Sequence, residues 1–474
     1  MLFYETIERL RSLSAQPGPL LASVEGRLGH SPLSVVLQAT EGERRVVFVP
    51  PALTDRDNRM ALAVRLAPHA PWSVPPGDWR ELFTALQEMA PLTLVIDEPG
   101  ALAAANRTFW QEFGQAWAAV RQSGAKIHLF LSSQSPGLGE RLNAPDSPFW
   151  RPLARVQATT GPPPARVVSL GVGTHYDLGA AVPHWKGLDL LLGWSILGGL
   201  PRTWELASGR GSPAAALRRG LLRRGQPLAD GPMALLQRAV GKVNRYAAIL
   251  RAVATGADDW QQLSRRLAPA PGGVGPVGPY LAKLRDVGVI SADRPVDVAP
   301  RGRRTRYHLS DPHEAFWWSA IHPLRTELSM ATPETQGRRI WSRRILPTLP
   351  GAVRSALPMI CRSYLRYGCE PVLGARARTV GPLWGSGYDF PVAGTLSSGA
   401  ICYGHIHAGP APAPASIIED LDRRIRATRY GYGRQARLRL IFSLTGFERA
   451  LQRSAVRDAR VWLIGGEEMA APPG

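Results

Sequence analysis

The sequence has little lysine, little cysteine and no long apolar run. Lysine occurs only at Lys126, Lys186, Lys242 and Lys283, so chemistry that needs an ammonium group has four places to find it. None of the four lies in a glycine-rich turn after a strand-like run. The cysteines, Cys361, Cys369 and Cys402, are odd in number and lack paired metal-type spacing, which excludes a disulfide scaffold and leaves buried thiols. The nearest approach to a membrane span, around Leu188–Leu200, is broken by Gly193, Gly198 and Gly199 and falls short of the roughly 18 apolar residues that a spanning helix needs. The opening MLFYETIERLRSL carries acidic residues and lacks a signal peptide's apolar segment. A soluble cytoplasmic protein without membrane contact is expected.

What is present in quantity is apolar material and arginine. At 474 residues with 45% hydrophobic residues, the chain can build about three cores. Its formal charge of +20, with a pI near 10.8, favours a polyanionic partner, either nucleic acid or an acidic protein.

In the first third, apolar runs (PLLASVEG, RRVVFVPP, LTLVIDE, AKIHLFLSS) alternate with helical stretches. That alternation specifies an α/β layered domain with a mainly parallel sheet. The run LTLVIDE delivers Asp97 and Glu98 to a strand end, where an Asp can hold the water shell of Mg²⁺ and the next acid can orient a water. Ser132 and Ser133 end a second strand, where they can sense a terminal phosphate. Between a strand and a helix lies VEGRLGHSPL, with Gly26, Gly29, His30 and Ser31 in the place of a phosphate-binding loop.

In their order these motifs, together with a GGLP turn at Gly198–Pro201, resemble the prokaryotic AAA-type ATPases of the archaeal ATPase family. The resemblance implies a P-loop domain followed by a helical lid, with ATP and Mg²⁺ as cofactors. A working loop reads GxxxxGK[ST]: its amides wrap the phosphates, its lysine neutralises them and its hydroxyl reaches Mg²⁺. Here Gly26 and Gly29 enclose two residues instead of four, and His30 stands where the lysine belongs. Histidine is shorter and titrates near pH 6.5. Nucleotide binding is therefore expected to be weak or lost, with Asp97 and Glu98 catalytic only if some activity remains.

The middle of the chain reads as a winged helix-turn-helix. Helical periodicity covers 246–254, 260–267 and 279–287, and VGVISAD and TRYHLSD then form a hairpin with a basic tip. In a version that binds duplex DNA, the third helix enters the major groove and the wing follows the backbone. Tyr280, Lys283 and Arg285 are the groove candidates, and Arg301, Arg303, Arg304 and Arg306 the phosphate candidates. The other use of such a domain is packing against a protein partner. The run Phe316, Trp317, Trp318 is expected in the core.

From about Pro358 the chain resembles the PD-(D/E)xK nuclease-like domain that ends many members of this family, through VGPLW, the Asp389 position, an apolar hairpin and FSLTGF. Such a nuclease needs a carboxylate on one strand and an acid and a lysine on the next. Asp389 fits the first place, whereas AICYGHIHAG puts Gly404, His405 and His407 at the second. An inactive nuclease-like fold follows, with transition-metal binding by Asp389, His405 and His407 as an alternative. Arginines at 338, 339, 343 and 344, and from 423 to 439, suit contact with a polyanion.

The expected architecture is α/β: a P-loop ATPase-like parallel sheet (1–180) with a helical lid (181–240), a winged helix-turn-helix domain (241–330), a linker helix (331–357) and a C-terminal α/β nuclease-like domain (358–474). The expected function is DNA-associated regulation or scaffolding with impaired hydrolysis. The alternatives are an ATPase with an unconventional loop, using Asp97 and Glu98 with Asp97 on the metal, and a protein-binding module of a larger complex.

Overall fold

The structure, a computed structural model, describes residues 2–41, 44–51, 53–70, 72–154, 165–209, 211–222, 227–267, 277–297, 304–433 and 436–473. The chain forms two compact units, Leu2–Gly171 with Asp286–Gly288, and Val172–Arg285 with Val289–Gly474.

The first unit is built on strands β1 (Leu20–Glu25), β2 (Arg45–Phe48), β3 (Leu92–Asp97), β4 (Ile127–Ser133) and β5 (Arg166–Ser169), in the order β2-β3-β4-β1-β5. All four pairings are parallel. A parallel sheet is covered on both faces, which is why LLASVE, LTLVID and IHLFLSS are buried along their whole length. One face packs Leu94, Ile96, Leu129 and Leu131 under Leu62, Trp79, Phe83, Phe113 and Trp117. On the other, Val24, Val95 and Phe130 meet Ile7, Leu10, Val35 and Val36. Short polar side chains start the covering helices: Thr54 Oγ1 accepts from Asp57 N at 3.3 Å and Asp78 Oδ1 from Glu81 N at 2.7 Å, caps that contribute about 1 kcal/mol each.

The second unit begins with helices, among them Gly187–Leu197, Pro213–Leu222 and Pro227–Val240. Three further helices, Asn244–Ala254, Trp260–Arg266 and Gly278–Asp286, precede an antiparallel hairpin of β6 (Ile290–Asp293) and β7 (Arg306–Leu309). Asp311 then caps the next helix, its Oδ1 accepting from His313 N at 2.8 Å, and Trp317 and Trp318 are buried in the core behind it. The boundary expected at 358 falls inside a continuous helix, Leu349–Ser363.

The unit ends in a second sheet of β8 (Ala377–Gly385), β9 (Tyr388–Leu396), β10 (Ile401–His407), β11 (Arg437–Ser443) and β12 (Val461–Ile464), in the order β12-β11-β10-β9-β8. The first three strands form an antiparallel meander and the last two add in parallel. Parallel addition requires crossovers, which the helices Ile417–Ala427 and Arg449–Arg457 supply. The three cysteines are buried and unbonded. No helix among the described residues is long and apolar enough to cross a membrane.

Candidate nucleotide site

Parallel strands end at one edge of their sheet, and ligands of such sheets sit outside that edge. The register places Glu25 opposite Ser133 and Asp97 opposite Ser132. Most of the expected residues therefore meet there. Ser31 Oγ donates to Asp97 Oδ1 at 3.4 Å, the pair that would share a magnesium ion. The buried Ser132 hydroxyl beside it has no hydrogen-bond partner among the described residues.

The loop itself is closed on its own backbone. Arg27 N donates to His30 O at 3.3 Å and His30 N to Arg27 O at 2.8 Å, an antiparallel bridge around a tight turn. Gly29 supplies that turn with φ +77°, and a Cβ on Gly26 would lie 2.1 Å from His30 O. The remaining amides are also taken. Gly26 N donates to Ser133 O at 2.7 Å, Leu28 N to Val287 O at 3.0 Å and Gly29 N to Gln134 Oε1 at 3.2 Å. Every amide from Gly26 to His30 thus has an internal acceptor, and none points outward to wrap a phosphate.

The surroundings reinforce this closure. His30 is buried, edge-on to the Phe3 ring at a centroid distance of 5.4 Å. The helix that follows, Leu33–Ala39, has seven residues and starts at Pro32, and its Leu33 amide donates to Ser31 Oγ at 3.2 Å. ATP does not fit the loop as it stands.

Glu98 is engaged as well. It adopts a left-handed backbone conformation, φ +49°, and its Oε1 accepts from Gln134 N at 2.5 Å. Burial, with Asp97 adjacent, holds its carboxyl above the usual glutamate range. Because Gln134 also binds Gly29 N, a continuous chain of hydrogen bonds ties the acidic strand end to the loop. A second buried carboxylate, Glu25, escaped the sequence reading. It accepts from Gly137 N at 2.6 Å and Gly139 N at 2.5 Å, and Ser23 Oγ lies 3.1 Å away. An acidic residue directly before a glycine loop was its only sequence signal.

In the C-terminal sheet, guanidinium groups hold two of the residues expected to bind a metal, Asp389 and His405. Arg306 holds Asp389 with both nitrogens, at 2.9 and 3.1 Å, approaches Asp258 at 3.5 Å and lies 4.6 Å above the Trp384 ring. Arg424 donates to Asp389 O at 2.9 Å and to His405 Nδ1 at 3.0 Å. Burial, and after it Arg424, push the His405 pKa down to about 4. His407 turns instead to Ala411 O at 2.9 Å. Among the described residues no group of three His, Cys, Asp or Glu side chains can hold a metal ion. The expected joint site of Asp389, His405 and His407 does not assemble among the described residues, because Arg306 holds the Asp389 carboxylate and Arg424 the His405 ring.

Of the residues expected to meet DNA, Lys283 and Arg285 are exposed on the helix Gly278–Asp286, while Leu281 and Leu284 point to the core. Tyr280 is half-buried and its hydroxyl accepts from Arg245 Nη1 at 2.6 Å. Arg304 donates to Trp384 O at 2.8 Å and Arg306 pairs with Asp389 as above, so both of these expected phosphate residues make internal contacts. Arg301 and Arg303 lie outside the described residues.

The sheet order, its parallel register and the loop position define the first unit as P-loop ATPase-like in fold, within an α/β chain that carries a separate C-terminal sheet. Among solved structures the chain is similar to the Walker-type ATPase paby2304 of Pyrococcus abyssi, with 16% identity, 67% of this chain and 99% of that one covered, and a TM-score of 0.50. It also matches the ORC2 protein of Aeropyrum pernix in its ADP form (14% identity, 72% and 93% covered, TM-score 0.33) and the RuvB Holliday junction branch migration motor of Thermotoga maritima (13%, 65% and 89%, TM-score 0.27). No protein-family model and no curated protein matches the sequence.

Proposed function

We propose that this chain is a DNA-associated, ATPase-like regulator or scaffold that acts by contact and not by turnover. The observation that carries the reading is the loop whose amides from Gly26 to His30 are all bonded internally. A formal charge of +20 supports a nucleic-acid partner, duplex DNA in particular. In this reading residues 241–330 act as a winged helix, presenting Lys283 and Arg285 to the major groove, and 358–474 as a nuclease-like domain that keeps its fold without its chemistry. Arg306 and Arg424 on Asp389 and His405 support that loss.

The test is duplex binding across a salt titration, run beside a phosphate-release assay. Expected are a linear fall of log K with log salt and no phosphate release. Affinity no better than that of an inert basic protein at physiological salt sinks the DNA reading. Steady ATP turnover that Glu98→Gln abolishes would instead support the second reading, an unconventional ATPase, which the Ser31–Asp97 contact favours.

A further inference from the structure

We propose that the outward face of the helix Arg449–Arg457, with Arg460 beyond it, grips the phosphate backbone of a nucleic-acid strand. The proposal rests on the DNA-association reading and names a surface for it that the groove and wing candidates do not include. Leu451 is fully buried and fixes which way the helix faces. Arg449, Arg453 and Arg457 then recur every fourth residue on the solvent side, with Gln452 between them and Val456 88% exposed. These five residues line a shallow depression of about 410 Å³.

The contrast with the neighbouring arginines is the informative point. Arg423 pairs with Asp420, Arg424 with Asp420 at 2.6 Å, and Arg439 with Asp422 at 2.5 Å and Asp458 at 3.3 Å. Among the described residues, Arg449, Arg453, Arg457 and Arg460 have no ion-pair partner. Like charges four residues apart on a helix cost about 0.2–0.5 kcal/mol per pair, and among the described residues no ion pair relieves the two such pairs here. A polyanion laid along the helix does. Four residues advance the axis by about 6 Å, a step comparable to that between successive phosphates of a strand. The regular spacing favours a repeating charge over a single acidic group, and guanidinium forks suit phosphate oxygens.

The experiment compares the full chain with Arg449→Gln/Arg453→Gln/Arg457→Gln, by fluorescence anisotropy on a labelled duplex and on a single strand of equal length across a salt titration. Three lost phosphate contacts make the plot of log K against log salt shallower by about 2.7 on duplex or about 2.1 on a single strand, and the form that the wild-type chain binds more tightly at equal salt is the partner. A control variant, Arg56→Gln/Arg65→Gln/Arg80→Gln, removes the same charge from the first unit and leaves the slope unchanged. Replacement of the three helix arginines by lysine retains most of the slope, and matching circular dichroism melts show that the fold survives. An unchanged slope in the helix variant, or an equal fall in the control, overturns the proposal while leaving DNA association standing. Polyglutamate that competes as well as DNA overturns it in favour of an acidic protein. A wild-type chain that does not bind DNA removes this proposal together with the reading beneath it.

Discussion

Replacing His30 by lysine separates two explanations of why this loop should not hold ATP. If the missing ammonium were the obstacle, His30→Lys would restore binding. If the closed turn is the obstacle, it will not. To cradle a triphosphate, the loop must release the internal bonds of the amides from Gly26 to His30. At a net 0.5–1.5 kcal/mol each these come to about 5 kcal/mol. That opening free energy lowers apparent affinity by about 3.5 decades, at 1.4 kcal/mol per decade. A site of micromolar intrinsic affinity would then bind only in the millimolar range. Calorimetric titration of Mg²⁺-ATP into wild type and into His30→Lys should therefore give no saturable heat at submillimolar nucleotide. Lysine would also enter a buried position beside Phe3, which adds to the cost. Inserting two residues between Gly26 and Gly29 in the His30→Lys background is the change expected to gain affinity, since it restores the four-residue span that frees the amides. A micromolar dissociation constant for His30→Lys alone would refute the reasoning.

Two further outcomes follow from buried groups. Glu25→Ala leaves the amides of Gly137 and Gly139 without their acceptor, and at about 1–3 kcal/mol per orphaned group the first unit should lose roughly 2–6 kcal/mol in urea melts. Glu25→Gln keeps one acceptor and should fall between; a loss under about 0.5 kcal/mol for Glu25→Ala would contradict this account. Acid should weaken the second unit. His175 bonds Met469 O at 2.9 Å and His313 bonds Ile196 O at 2.7 Å, and burial pushes the pKa of each from 6.5 down to about 4. Both are neutral in the fold, whereas the unfolded chain takes up their protons below pH 6.5. Their stabilising effect is full above that value and is lost as pH falls toward 4, by up to about 1.4 kcal/mol per histidine per pH unit. Urea midpoints of the second unit that stay flat between about pH 7 and 4.5 would show that these rings are not what they look like.

Much of the first unit was legible in the chain. Runs such as LTLVID and IHLFLSS are apolar on both faces, which only a strand covered on both sides tolerates, and they carry Asp97, Ser132 and Ser133 to a common edge. The same local logic located the hairpin β6–β7 and the buried Trp317 and Trp318. Not legible were pairings whose partners lie far along the chain, such as that of Arg306 with Asp389.

What the sequence by itself determined is the loop's length and the lack of a lysine within it, because both are properties of adjacent residues. Only the tertiary structure decided where the loop's hydrogen bonds go. Ser133 O and Gln134 Oε1, together with Val287 O, come from other elements, and Glu98 reaches Gln134 only because β3 and β4 lie side by side. A backbone amide has no side chain to announce its partner, so whether it is free for a ligand is settled when distant strands and turns pack around it.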